Sequence, residues 1–196
     1  AELAMMPSVV SVGQNITIEM RVTNAGGSLA ENVTGVNLIK SGTGNITAIS
    51  GPTPQYVSLV AGASHSIRWI YGASASGEIS VSGNARAYDM GLGNTINSAT
   101  VGSNVISIES AASLAGEIIV TPMQVSEGQE IMVVLSVTNN GQANANNVVP
   151  VIGYSGSGSV TAVSTPIAMT INGLGNASFT WIYSAAGRGS VIFTAS

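Results

Sequence analysis

Side chains able to carry out acid–base, nucleophilic or metal chemistry are few and widely separated in this sequence. The 196 residues include one His, His65, one Asp, Asp89, one Lys, Lys40, and no Cys. Nucleophilic catalysis needs a base beside the nucleophile, and general acid–base catalysis needs a positioned titratable group. His65 stands just before an alternating apolar segment, where we expect an exposed turn residue. The composition therefore predicts a protein that is not an enzyme and holds no cofactor.

Carboxylates are the remaining candidates for acid–base work. Glu127 and Glu130 lie close together in sequence, and Glu2, Glu19 and Glu31 form a looser set. Glu19 falls on the outward face of a predicted strand, and the others lie near predicted turns. Acidic side chains at such places are mostly solvated. We interpret them as surface acids rather than as a catalytic pair.

One Gly-rich loop offers a weak metal site. The segment from Tyr88 to Asn94 carries one carboxylate, on Asp89, and one side-chain amide, on Asn94. Calcium takes six to eight oxygen ligands, several of them carboxylate or carbonyl groups in a compact loop. Two side-chain donors fall short of that set. We favour the alternative, a hairpin turn whose glycines adopt positive φ.

Four Asn-x-Ser/Thr sequences are candidate glycosylation sites, at Asn15, Asn32, Asn45 and Asn176. Glycans attached there would solubilise a surface that carries few charges. The number of such sequences is close to what the Asn, Ser and Thr content predicts by chance. The sequence therefore allows glycans as partners without supporting them.

Composition excludes two classes of partner. The net charge is −4 and only 7% of the residues are charged, against about 25% in an ordinary globular domain. The five basic residues are scattered, so no basic stripe predicts binding to nucleic acid. The mean hydropathy is +0.40, yet no apolar run approaches the ~20 residues of a membrane span. A surface so poor in charge suits packing against copies of itself or against glycan.

An internal repeat organises the chain. Three pairs of segments recur in the same order: Pro7–Gln14 with Pro122–Gln129, Val22–Gly26 with Val137–Gly141, and Trp69–Tyr71 with Trp181–Tyr183. The spacing is 122 minus 7, or 115 residues, for the first pair and 181 minus 69, or 112, for the last. Length changes of this kind are absorbed in turns. We therefore predict two units, residues 1–112 and 113–196.

Within each unit the apolar residues have a period of two, which is typical of strands that cover a core. Ile16, Ile18, Met20 and Val22 alternate with polar residues, and the second unit repeats the pattern from Ile131. Helical spacing is almost absent. Short strands separated by Gly-, Pro- and Asn-rich turns predict an all-β fold of two tandem immunoglobulin-like β-sandwich domains.

The two predicted units end differently. The first continues past the counterpart of Ser196 through Arg86–Asp89, a Gly-rich loop and an apolar run at Val105–Ile108. The second stops before that hairpin, so we predict that it is incomplete at its C-terminal end. The missing strand would come either from the next stretch of a longer chain or from a neighbouring molecule. An open sandwich edge is a liability unless something covers it.

The two units share a series of short motifs. They are Val-x-x-Gly-Gln, a strand ending Val-Thr-Asn-x-Gly, the segments Ala30–Val33 and Ala145–Val148, and, in the first unit, Ala61–Ser64 leading into Trp69-x-Tyr71. This arrangement resembles the CARDB-type repeats, which are immunoglobulin-like modules found in tandem on bacterial and archaeal cell-surface proteins. The second unit departs from the pattern with Gly173–Asn176 in place of Ala61–Ser64. The resemblance implies an extracellular localisation, in a stalk, adhesin or filament.

Three functions follow as hypotheses. The first is a structural repeat that acts as a spacer or scaffold at the cell surface, with neighbouring repeats or copies of itself as partners. The second is a filament subunit completed by strand exchange between copies. The third is an adhesin or carbohydrate-binding module, for which Trp69 and Trp181 would be stacking platforms. Both Trp residues lie in phase with apolar neighbours, and we therefore favour a core role for them.

Overall fold

The computed structural model describes residues 1–196, and these form two compact units, Ala1–Ser110 and Ala111–Ser196, called unit 1 and unit 2 below. All regular elements are strands, which confirms the predicted all-β architecture with paired sheets. No helix long and apolar enough to cross a membrane occurs in the structure.

Unit 1 contains eleven strands. They are β1 (Glu2–Met6), β2 (Val9–Ser11), β3 (Asn15–Thr23), β4 (Ala30–Gly42), β5 (Asn45–Thr53), β6 (Val57–Leu59), β7 (Ser64–Ala75), β8 (Gly77–Asp89), β9 (Asn94–Asn97), β10 (Val101–Gly102) and β11 (Ile106–Glu109). One sheet has the order β1-β3-β7-β5. The other has the order β2-β11-β8-β4-β6, and β9 and β10 also pair with β8.

The core of unit 1 lies where the alternating side chains of these strands converge. In β3, Ile16, Ile18, Met20 and Val22 are buried and the residues between them face outwards. Ile18 pairs with Trp69 of β7, whose indole packs against Gly35 of β4. The space above Gly35 is filled by that ring, so a side chain at this position would collide with it. The period of two in the sequence thus becomes one buried face per strand.

Unit 2 contains eight strands. They are β12 (Leu114–Thr121), β13 (Glu130–Asn139), β14 (Ala145–Val148), β15 (Ile152–Gly156), β16 (Ser159–Ser164), β17 (Met169–Ile171), β18 (Asn176–Gly187) and β19 (Val191–Ala195). One sheet has the order β12-β13-β18-β16, as in the first sheet of unit 1. The opposite layer is divided into two pairs, β14-β17 and β15-β19.

The core of unit 2 is built on the aromatic strand β18. Phe179, Trp181 and Tyr183 are all buried and pair with alternate residues of β13. The ring centroids of Tyr183 and Phe193 are 5.0 Å apart, and the ring centroid of Tyr154 is 6.2 Å from each of them. Desolvation raises the pKa of Tyr183. These aromatic contacts join the β15-β19 pair to the intact sheet.

An Asn side chain closes the same turn in both units. In unit 2, the Asn139 amide donates to the carbonyls of Ala143, Ile171 and Asn172, at 2.8, 3.3 and 3.2 Å. Its Oδ1 accepts from the backbone N–H groups of Ser113 and Gly141 at 3.0 and 3.1 Å. In unit 1, Asn24 bonds the carbonyls of Ser28 and Leu59 and the amide of Gly26 in the same way. The repeated Val-Thr-Asn-x-Gly motif is therefore a hydrogen-bonded turn.

A Gln side chain closes a second repeated turn. The Oε1 atom of Gln14 accepts from the amide of Ser11 at 2.8 Å, and Gln129 accepts from Ser126 at the same distance. Gly13 and Gly128 precede these Gln residues with positive φ, which a side chain would disfavour. The Val-x-x-Gly-Gln motif is thus explained by turn geometry in both units.

The units differ in their second layer. In unit 1, β8 runs to Asp89 and β9, β10 and β11 all pair with it. In unit 2, β19 corresponds to the first part of β8 and pairs only with β15. Unit 2 therefore has no strand in the places held by β9, β10 and β11.

Replacing Trp181 by Ala should destabilise unit 2 by about 3–5 kcal/mol, because a buried indole is removed from a packed core. The neighbouring Thr180 is exposed on the same strand, so Thr180→Ala should change stability by less than about 0.5 kcal/mol. Urea unfolding followed by circular dichroism measures both. An unchanged midpoint for Trp181→Ala would contradict the core assignment.

Replacing Asn139 by Ala should cost about 3 kcal/mol, because the change leaves buried backbone groups without their partners. Asn140→Ala is the matched control, since this neighbouring side chain is exposed. Each unit holds one Trp, so Trp181 fluorescence in a Trp69→Phe background follows unit 2 alone. Equal unfolding free energies for the two variants would show that the Asn139 hydrogen bonds add nothing.

Candidate functional site

The chain's one ion pair lies on the outward face of unit 1. Arg68 Nε donates to Glu19 Oε2 at 2.6 Å, and the Ser66 hydroxyl donates to Glu19 Oε1 at 2.8 Å. These hydrogen bonds, with that from Arg68 the strongest influence, lower the pKa of Glu19. Both carboxylate oxygens are therefore engaged across β3 and β7, which is a cross-strand surface contact.

The loop considered for calcium is a hairpin between β8 and β9. Asp89 and Asn94 are paired residues of its two strands. The Asp89 carboxylate accepts from the backbone amides of Gly91 and Leu92 at 2.8 and 3.1 Å, and Gly93 has a positive φ of 68°. The carboxylate thus caps its own turn. No group of three or more His, Cys, Asp or Glu side chains is placed to hold a metal ion.

Among the other candidate side chains, His65 and Glu2 are exposed and Glu31 is half-buried. His65 lies within β7, paired with Val22, rather than on a turn, because β7 begins one residue earlier. Glu2 and Glu31 likewise lie within strands β1 and β4 and not near turns. Strand pairing extends through these positions even though their side chains are polar. The register places Glu2 opposite Arg21, diagonally across from Glu19, on the outward face of β1 and β3, and Glu31 lies in the other sheet.

Glu127 and Glu130 are exposed, at the turn before β13 and at its first residue. The four candidate glycosylation residues, Asn15, Asn32, Asn45 and Asn176, are exposed as well. Asn45 already accepts a hydrogen bond from Lys40 Nζ at 2.9 Å. A glycan can be attached only to an exposed Asn, and glycosylation at these four residues stays a prediction.

Both indoles considered as sugar platforms are buried. Trp69 and Trp181 expose only 6% and 4% of their surface. Stacking on a sugar needs an open ring face, which neither offers. Their role in the structure is packing, as their phase in the sequence indicates.

Strand β11 closes the core of unit 1. It pairs in parallel with β2, where Ile108 lies beside Val10, and antiparallel with β8, where Ile106 faces Ile79. Ser107 N donates to the carbonyl of Ser8 at 2.9 Å. Ile106 and Ile108 are each 1% exposed. One short strand thus satisfies two sheet edges and places two apolar side chains in the core.

The equivalent region of unit 2 is an open groove of about 750 Å³, called the acceptor groove below. Its lining includes Val120, Met123, Val125, Ile131, Val191 and Phe193. Val125 and Val191, the counterparts of the buried Val10 and Ile79, are only half-buried. The acceptor groove therefore exposes apolar surface that its counterpart in unit 1 covers with β11.

Backbone groups at the acceptor groove are also left without backbone partners. In unit 1, the carbonyl of Ser8 and the amide of Val12 bond to β11. Their counterparts, the carbonyl of Met123 and the amide of Glu127, form no such bond, and the outer edge of β19 is unpaired. An exposed row of N–H and C=O groups beside an apolar surface is a template for strand pairing.

Comparing the two repeats within the sequence predicted part of this site. The missing hairpin predicted an open edge in unit 2, and the structure has that edge at β19. The opposite wall, formed by Pro122–Val125, was not predicted. The repeat could have indicated this wall, because Pro122–Val125 matches the segment of unit 1 that contains β2, the parallel partner of β11.

No protein-family model matches the chain, and no curated protein matches it. Among solved structures it is similar to the secreted serine protease VesC from Vibrio cholerae, with 14% sequence identity and a TM-score of 0.23. The match covers 99% of this chain and 50% of that one, so this chain spans half the length of the protease chain. A likeness this distant says nothing about activity.

The Glu19–Arg68 pair predicts a small acid sensitivity of unit 1. Because the folded pKa of Glu19 lies below its ordinary value of 4.5, the unfolded chain binds the proton more tightly. The stabilisation is present above that value and is lost as pH falls through the folded pKa. The loss should stay below about 1 kcal/mol, since the Arg68 side chain is 61% exposed.

Urea unfolding of unit 1 between pH 6 and pH 3, followed by Trp69 fluorescence in a Trp181→Phe background, tests this prediction. Glu19→Gln should flatten the pH dependence. Glu78→Gln, which removes an exposed carboxylate of β8 away from this contact, is the control and should flatten the profile less than Glu19→Gln does. Identical profiles for Glu19→Gln and the unmodified chain would contradict the prediction.

Proposed function

We propose that this chain is a structural repeat module of an extracellular cell-surface assembly, in which it acts as a spacer or scaffold. The observation that carries the proposal is the duplicated framework. Both units have a four-stranded sheet of the same order, β1-β3-β7-β5 and β12-β13-β18-β16. Asn24 and Asn139 close the same turn in each. Repeated units of this kind are typical of arrays that span a distance.

The chemistry of the surface supports a structural role over an enzymatic one. The candidate acids and bases are separated. The Glu19 carboxylate bonds to Ser66 and Arg68 on the neighbouring strand β7, and the Asp89 carboxylate bonds to backbone amides of its own turn. Each unit has an apolar core of its own between its strands. The resemblance to CARDB-type repeats supports the extracellular placement.

A second candidate function is a filament subunit completed by strand exchange between copies. The open edge of β19 and the acceptor groove favour it, because they offer a strand-sized place at a sheet edge. The two candidates share the same fold and differ in what fills that place. Polymerisation is therefore the property that separates them.

Immunogold electron microscopy of intact and permeabilised source cells tests the proposal, using antibodies against the full chain. We expect labelling on the outside of intact cells, and absorption of the antibody with purified chain should remove it. Label that appears only after permeabilisation would contradict an extracellular role.

Microscopy and intact-mass measurement of the isolated material separate the two candidates. Ordered filaments of a chain near 19.6 kDa, with density crossing from one copy into the acceptor groove, would establish the filament subunit and overturn the spacer. A heavier polypeptide with additional repeats would support the spacer.

A further inference from the structure

The outward face of the second sheet of unit 1 contains a pocket of about 370 Å³, called the tyrosine pocket below. Its walls come from four neighbouring segments, which are β4, the bend just before β6, β8 and β9. The lining residues are Asn32, Tyr56, Arg86, Ala87, Tyr88 and Thr95. All of them belong to unit 1, in which β11 closes the core.

A β-bulge in strand β4 places Asn32 in this pocket. From Glu31 to Thr34 the strand advances 34 minus 31, or three residues, while the paired residues of β8, Tyr88 and Arg86, are only two apart. Asn32 is the extra residue and has a positive φ of 53°, which Asn adopts more readily than most residues. Bulges of this kind bend the strand and redirect a side chain.

The two tyrosines of the pocket have no packing role in the fold. Tyr56 and Tyr88 are 51% and 39% exposed, and neither packs against the core of unit 1. Unit 2 has the same bulge, at Asn147, which also has positive φ. Strand pairing aligns Tyr56 with Ala168 of unit 2, so the shared framework needs the bulge but not this tyrosine.

Arg86 is the one charged residue of the lining, and its guanidinium forms no ion pair. Two acids are near it in register, Glu31 opposite Tyr88 and Asp89 at the end of β8. Neither lines the pocket, and the Asp89 carboxylate already accepts two backbone amides. A guanidinium can bind a carboxylate through two parallel hydrogen bonds. The tyrosine pocket therefore offers a place for one anionic group beside two aromatic rings.

We propose that the tyrosine pocket binds a pyranose ring that carries a carboxylate, as in a polysaccharide that contains uronic acids. The apolar face of the sugar ring lies against Tyr56 and Tyr88, and its carboxylate accepts hydrogen bonds from Arg86. Asn32 and Thr95 supply polar groups for the ring hydroxyls. Aromatic surface beside a few directional polar groups is typical of small-ligand sites. This inference goes beyond the proposed structural function, and neither depends on the other.

A protein or a nucleic acid fits this surface less well. The buried centre of a protein interface is rich in apolar side chains, whereas Ala87 is the one aliphatic residue of the lining. A nucleic acid is held by several basic groups, and the lining has one. A single sugar ring needs only the two aromatic rings and the few polar groups that are present.

A glycan on the chain itself is a second source of the same chemistry, because Asn32 begins an Asn-x-Thr sequence. That modification also requires the Thr of the sequence, and Thr34 is only 5% exposed. We therefore expect the sugar ring to belong to another molecule. Mass measurement of the isolated material distinguishes the two sources, and a glycan found on Asn32 would overturn this choice.

The binding test uses the full chain, produced in a host that adds no glycans, and two matched probes, tetragalacturonate and its methyl ester. Isothermal titration calorimetry should show saturable binding of the acid. The ester keeps the sugar rings but has no charge, so it should bind at least about tenfold more weakly. No binding of tetragalacturonate, or equal affinity for the two probes, would overturn the proposal.

Variants of the lining test the aromatic contact without threatening the fold. Tyr56→Ala gives unit 1 the residue that unit 2 has at this place, and it should weaken binding of tetragalacturonate at least about tenfold. Tyr56→Phe keeps the aromatic ring and should retain binding. Undiminished binding by Tyr56→Ala would show that the sugar does not lie on this ring.

Arg86→Gln tests the charged contact, because without the guanidinium the chain should lose its preference for the acid over the ester. The matched control is Arg21→Gln, which removes an exposed Arg of β3 in the other sheet and should bind as the unmodified chain does. A preference that persists in Arg86→Gln, or that disappears in Arg21→Gln, would contradict the role of Arg86.

Thermal unfolding of each variant, followed by Trp69 fluorescence in a Trp181→Phe background, shows whether unit 1 is folded. The binding results do not affect where antibodies label the cell. Failure of this inference is therefore distinguishable from failure of the proposed function.

Discussion

The double pairing of strand β11 is the interaction on which a closed unit of this framework depends. Ile106–Glu109 satisfies the edges of β2 and β8 together, and its two Ile side chains complete the core between the sheets. In unit 2, with no strand in that place, the counterparts of Val10 and Ile79 become partly exposed. The same strand therefore supplies hydrogen-bond partners to two sheet edges and buries apolar side chains in the core.

The turns, in contrast, are closed locally and are the same in both units. Asn139 is completely buried and bonds to backbone groups on three segments, and Asn24 bonds to the counterparts of two of them. Each unit holds its own turns with its own side chains. This explains how unit 2 keeps an intact sheet, β12-β13-β18-β16, while its other layer is divided into two pairs.

The few ionisable side chains that have partners hold local structure, whereas some backbone groups of unit 2 have no partner. The Glu19 carboxylate bonds across two strands and the Asp89 carboxylate caps its own hairpin, so both stabilise local structure. The unpaired edge of β19 and the amide of Glu127 have no such partners.

The sequence by itself determined the all-β architecture, the two related units and the burial of Trp181, because a period of two and a repeat are properties of residue order alone. It also indicated that unit 2 lacks a hairpin. The roles of Asn24 and Asn139 and the wall at Pro122–Val125 were decided only by the tertiary structure. Hydrogen bonds between distant segments and a groove between two sheet edges depend on how those segments meet in space, which residue spacing does not specify.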